Sequence, residues 1–177
     1  PWGYLPIDGI AAYDRAVQHL VFGAQSEAVA AGRVATVQAL GGTGALKVGA
    51  DFLRRNGQST RVLISDPSWE NHRALFAAAG FQVDTYPYYD PQTRGVRVAD
   101  MLAALRAAEP GTVVVLHACC HNPTGCDLTS AQWAEVVSVV RERGLVAFLD
   151  MAYQGFGDGI AEDALALNLF AQSGPDF

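Results

Sequence analysis

Lysine is almost missing from this sequence: Lys47 is the only one in 177 residues. Arginine raises the basic total to 12 against 18 acidic residues, a formal net charge of −6. A general nucleic-acid or anionic-membrane partner needs a basic surface, so neither is expected. Long apolar runs are missing as well. Val113 to Leu116 and Leu145 to Leu149 have the length of strands, and no run approaches a membrane span. Three cysteines, two of them adjacent, make no disulfide framework, and a reducing cytosol is the plain reading. The opening PWGYLPIDG has neither the regions of a signal peptide nor an initiator methionine, so a piece of a longer cytoplasmic protein is expected. Repeats, linkers and low-complexity stretches do not stand out.

What remains is a globular composition, half apolar and 17% charged, long enough to bury a substantial core. Helical spacing runs from Ala45 to Arg55 and stops at Asn56-Gly57. RVLIS (61–65) reads as a short buried strand. Asn71 to Ala79 reads as a helix stopped by Gly80, and FQVDTYPYY (81–89) then alternates like a strand. Val98 to Ala108 reads as a helix, and TVVVLHA (112–118) as a β-branched strand. Thr129-Ser130 caps a helix that Gly144 ends. LVAFLD (145–150) is a further buried strand. Apolar strands alternating with helices imply an α/β fold, a mainly parallel sheet flanked by helices on both faces. Ligands of such sheets sit beyond the carboxyl ends of the strands, which singles out Asp66 to Trp69, His117, Asn122 and Asp150 to Tyr153.

Four stretches there carry candidate chemistry. GGTGALK (41–47) sets small residues before a helix, where backbone N–H groups can meet a phosphate; it lacks both the Walker A and the GxGxxG spacing, and a simple tight turn fits it equally. LDMAYQGFG (149–157) leaves Asp150 at the end of a buried strand, where a carboxylate needs a cation or donors; a protonated ring nitrogen would serve, as would a turn that it caps. SDPSWENH (65–72) puts Trp69 where it can stack on a planar ring or simply pack. LHACCHNPTG (116–125) looks like a metal site, but Cys119 and Cys120 are neighbours at a strand exit, where successive side chains point to opposite faces. No CxxC is present and Cys126 stands alone, so neither metal nor redox chemistry is expected, and the two cysteines read as small buried hydrophobes. Asn122, fixed by Pro123, is left to aim its amide at a ligand, while His121 has no assignable role.

Together YLPIDG (4–9), GGTGALKVGADFL (41–53), SDPSWENH, HACCHNPTG and LDMAYQGF resemble the class I aminotransferases of the aspartate and aromatic amino acid group. The wider phrasing, including GFQVDTYPYYD, is most similar to the bacterial aromatic-amino-acid enzymes. The resemblance implies pyridoxal phosphate as cofactor and transfer of an amino group between an aromatic amino acid (or aspartate) and 2-oxoglutarate. It implies the large, cofactor-binding domain of fold type I, of which residues 1–177 would be a part, and a homodimer with shared active sites. Gly42 and Thr43 would hold the phosphate, Trp69 would stack on the pyridine ring, and Asp150 would keep its nitrogen protonated as part of an electron sink. Asn122 and Tyr153 would donate to the ring's oxygen, His72 and His117 would orient Asp150, and Tyr4 would cross to the partner's phosphate. The family's Schiff-base lysine has no counterpart: Lys47 matches an ordinary helix position. This chain by itself is therefore expected to hold no catalytic residue and to be inactive, with the small domain also absent. The alternative is a folded fragment without cofactor chemistry.

Overall fold

The computed structural model describes residues 3–173. Its elements run α1 (Ala11–Phe22), α2 (Glu27–Ala30), α3 (Gly41–Asn56), β1 (Arg61–Asp66), α4 (Glu70–Ala78), β2 (Gln82–Pro87), β3 (Tyr89–Asp90), β4 (Gly95–Val96), α5 (Val98–Ala107), β5 (Val113–His117), α6 (Ser130–Arg143), β6 (Val146–Asp150) and α7 (Leu165–Ser173). Four strands form one sheet in the order β2-β1-β5-β6. Every pairing in it is parallel, so the carboxyl ends of all four strands share one edge.

Alternation along the strands sorts their side chains into two cores. Val113 and Val115 join Val62, Ile64, Phe76 and Ala50 beneath α3 and α4. Val114 and Leu116 join Ala147, Tyr86, Met101, Val136 and Phe170 beneath α5, α6 and α7. Each such aliphatic side chain contributes about 1.5–3 kcal/mol on leaving water. This double cover is why β5 reads as an unbroken apolar run.

Helix α6 shows how local chemistry fixes the ends. Thr129 Oγ1 accepts the Gln132 N–H at 3.4 Å, and Gln132 Oε1 accepts the Thr129 N–H at 2.8 Å, a reciprocal capping box. Gly144 closes the helix in the left-handed region at φ 61°. Helix α3 starts four residues earlier than its apolar spacing suggests, with Gly41 as its first residue. The N–H donors of a first turn have no intrahelical acceptor, so they are left to other partners. The stretch 81–89 is also not one strand: β2 stops at Pro87, and Tyr89 pairs antiparallel with Val96.

Gly49 brings α3 close to the sheet. A Cβ at this position would lie 2.8 Å from Cε2 of Phe148 on β6, inside any tolerable contact. Helices α1 and α7 carry no signal picked out in the sequence. No described helix is long and apolar enough to cross a membrane.

Candidate functional site

The shared edge of the sheet opens into a cleft lined by Gly42, Leu46, Trp69, His117, Cys119, Cys120, Asn122, Asp150, Ala152 and Tyr153. Strand register builds its floor, because His117 at the end of β5 stands directly beside Asp150 at the end of β6. Six of the residues named from the sequence thus meet at one place. Thr43 lies exposed in the first turn of α3 beside Gly42 and does not itself line the cleft. Tyr4 is fully exposed and stands apart from it. Lys47 points along α3 and holds both oxygens of Asp51 at 2.6 Å, an ion pair on the helix surface.

A chain of hydrogen bonds orients Asp150. The Asn122 backbone N–H donates to His117 Nδ1 at 3.0 Å, so the proton of a neutral His117 sits on Nε2. That nitrogen faces His72 Nδ1 at 3.4 Å, which also lies 2.9 Å from Ser68 Oγ. With Nδ1 accepting, His72 carries its proton on Nε2 and donates to Asp150 Oδ2 at 2.8 Å. Asp150 Oδ2 is therefore held as an acceptor. Oδ1 of the same residue has no protein partner among the described residues. Burial pushes His117 down to about 3, with the neighbouring His121 and His72 adding to the effect, so its ring stays neutral. His72 is completely buried, and the Trp69 ring meets it in a T-shaped contact with centroids 5.4 Å apart.

The start of α3 lines the same cleft through Gly42. Its N-cap, Leu40, offers no side-chain acceptor, and no acidic residue occupies the first turn. The amide groups there remain open to an anion, in the favourable sense of the helix dipole. In the same cleft, the Asn122 side-chain amide and the Tyr153 hydroxyl have no protein hydrogen-bond partner among the described residues. The cleft thus combines amide groups open to an anion, a carboxyl group with one free oxygen, and two neutral polar groups.

Three supporting residues escape the sequence reading. His121, given no role there, is buried and bridges Ser65 Oγ at 2.9 Å and Thr124 Oγ1 at 2.8 Å. Its ring stacks on Tyr88 with centroids 4.0 Å apart, and burial holds its pKa down near 4. Asp127 closes the loop before it, accepting the Cys120 and His121 N–H groups at 2.6 and 2.8 Å. Asp163 accepts the N–H groups of Gly155, Gly157 and Asp158 at 2.8–3.0 Å and so folds the loop behind Tyr153. A carboxylate shortly after a glycine-rich run was the available signal for Asp163; His121 and Asp127 offered only their position in a turn.

The two adjacent cysteines do not diverge as expected. β5 ends at His117, and Cys120 adopts φ 49°, so strand alternation no longer applies. Cys119 and Cys120 instead place both Sγ atoms and an Asp163 oxygen within 4.8 Å of one another. Burial, together with neighbouring Cys120, Asp163 and Asp127, pushes the Cys119 thiol up to about 12.

With a parallel sheet and a ligand cleft at its strand exits, the molecule is an α/β protein of the kind that binds a charged ligand at that edge. Comparison with known proteins takes this further. The chain belongs to the aminotransferase class I and II family, whose model matches residues 2–176. An aspartate aminotransferase of Pseudomonas aeruginosa is 62% identical over 177 residues, all of this chain and 44% of that protein. The aromatic-amino-acid aminotransferase of Escherichia coli is 53% identical over 171 residues, 97% of this chain and 43% of the relative. A solved aromatic-amino-acid aminotransferase from Burkholderia pseudomallei, covalently bound to pyridoxal phosphate, superposes with a TM-score of 0.96 at 67% identity, covering 98% of this chain and 43% of that one. The sheet and helices are those of fold type I. The chain spans less than half the length of these relatives.

Proposed function

We propose that this chain forms part of the cofactor-binding domain of a pyridoxal-phosphate-dependent aminotransferase acting on aspartate or an aromatic amino acid, with 2-oxoglutarate as the amino acceptor. The observation that carries the reading is Asp150, oriented by a chain of N–H donors and left with one oxygen open to the cleft. A partly buried carboxylate with a free oxygen calls for a cationic partner, and a protonated pyridine nitrogen supplies one. The uncapped start of α3 suits a phosphate, and the free Asn122 and Tyr153 groups suit a ring oxygen between the two. The donor set therefore fits the cofactor at every charged end.

When bound, pyridoxal phosphate supplies a conjugated ring that accepts the electron pair released when the substrate's α-proton leaves. The rest falls to the protein's own residues. Asp150 keeps a proton on the ring nitrogen, because removing it would strand a carboxylate in a partly buried site. His117 and His72 stand behind Asp150 and hold it in one orientation. The Gly42 and Thr43 amides take the phosphate, and Trp69 covers a face of the ring and keeps water from it. Asn122 and Tyr153 donate to the ring oxygen. Amino acid and oxo acid partners, a homodimer in which Tyr4 reaches the partner's phosphate, and a cytoplasmic setting complete the proposal; three free cysteines support a reducing compartment.

The test is spectroscopic and kinetic, on the protein that contains this chain. Asp150→Ala is expected to lower turnover by at least about a hundredfold, the scale for losing a charge aimed at the reacting system. Near-normal turnover, or a purified protein that takes up no pyridoxal phosphate, would overturn the assignment.

A further inference from the structure

We propose that Cys119, Cys120 and Asp163 form a binding site for a thiophilic divalent cation of the zinc and cadmium type, in the wall of the cleft beside Tyr153. The donor set is two thiols and a carboxylate, whose ligand atoms lie within 4.8 Å of one another. In a tetrahedral zinc site two sulfurs sit roughly 3.8 Å apart, given metal–sulfur bonds of about 2.3 Å. The cluster is thus assembled to within a small rotamer adjustment. Sulfur donors select soft or borderline cations over magnesium or calcium. A further cluster, His72, His117 and Asp150, is equally compact, but it belongs to the ring site already described.

The backbone makes the convergence possible. The left-handed φ of Cys120 turns its side chain back toward Cys119, and the Asp127 carboxylate anchors that turn through the Cys120 N–H. Asp163 is equally fixed. It is buried, and its oxygens accept three backbone N–H groups. Gly157 has to be glycine for this, since a Cβ there would stand 2.7 Å from Asp163 Oδ1. The thiols are engaged only with each other, through a Cys119–Cys120 side-chain hydrogen bond, and through a long 3.9 Å contact of Cys120 Sγ with the Tyr153 carbonyl.

Access and charge agree with a cation. The cysteines line the cleft on one side, while Cys119 and Asp163 also line a second opening shared with Asp127, Asp158 and Glu162. Four carboxylates around two thiols make a local field that draws a cation and repels an anion. Binding exchanges two S–H bonds for two metal–sulfur bonds and releases two protons. Asp163 adds one oxygen, water fills the fourth position, and no electron changes hands.

The experiment titrates the reduced, full-length protein with cadmium, with and without pyridoxal phosphate. It follows the ultraviolet sulfur-to-cadmium charge-transfer band and the metal retained after gel filtration. One cation per chain is expected, with affinity falling at least about tenfold in Cys119→Ser and in Cys120→Ser. Cys126→Ser should leave both readouts unchanged. Asp163→Asn should weaken binding while the sulfur band persists at saturating metal. No retained cadmium, an unaltered band in Cys120→Ser, or loss of the band in Cys126→Ser would each overturn the proposal. None of these readouts depends on transaminase activity, so they stand or fall apart from the function proposed above.

Discussion

The strand exits and the N-terminal segment differ in how much of their own support this chain supplies. At the strand exits, all six ring nitrogens of His72, His117 and His121 have partners, and all three rings are buried. Around residues 4–10 and 37–40, large apolar side chains stand in solvent, with Tyr4 and Ile7 fully exposed and Leu40 nearly so. Buried polar groups are costly unless satisfied, so the strand-exit network has to be complete before it is stable. Exposed apolar groups of this size mark surfaces that join others. The end that would hold the ring is self-supporting, and the segment bearing Tyr4 is not.

Breaking the self-supporting end should produce the largest effect. His121→Ala removes a stacked ring and strands the partners of two hydrogen bonds, so folding stability is expected to fall by about 3 kcal/mol. Chemical denaturation checks it; a loss below about 1 kcal/mol would mean the network is slack.

Acid attacks the same network more gradually. His117 and His121 titrate near 3 and 4 in the fold, well below the ordinary 6.5. Unfolded chains therefore take up these protons first, and the stability conferred by keeping the rings neutral is complete above 6.5. It declines as the pH falls from there toward the folded values, by at most about 1.4 kcal/mol per pH unit for each ring. Melting curves across that window measure the slope. Histidine NMR signals that titrate normally between about pH 5 and 8 would contradict the buried, neutral rings.

The smallest effect sharpens the contrast from the other side. Tyr4→Phe should leave folding stability within about 0.5 kcal/mol, since its ring has no cover in this chain. Measured phosphate or cofactor affinity should nevertheless drop if the hydroxyl reaches a partner's site. Unchanged affinity would leave Tyr4 without the proposed role.

Much of this was legible in the sequence for a definite reason. In a parallel sheet every strand ends on the same edge, so reading polar residues off the ends of RVLISD, TVVVLH and LVAFLD already gathers Trp69, His117, Asn122 and Asp150. Cap chemistry marked both ends of α6 through Thr129-Ser130 and Gly144, and the structure adds Gln132 to the cap. Other features depended on pairings that no local pattern encodes. The register that sets His117 beside Asp150, and the reach of His72 from α4 to the same carboxylate, are long-range contacts. The cysteines misled because alternation was extended past the real end of β5, into a residue with left-handed backbone. His121 looked idle because both of its partners, Ser65 and Thr124, are ordinary hydroxyl residues without a motif.

Gly49 touches nothing in the cleft, yet it acts as a gauge. Helix α3 carries the turn proposed for the phosphate at one end and, at Gly49, rests on Phe148, two residues before Asp150. The space where a methyl group would stand sets how near that turn lies to the carboxylate. The ruler for ligand length is thus kept at a position no ligand meets, and substitutions there would detune fit without altering a single contacting residue.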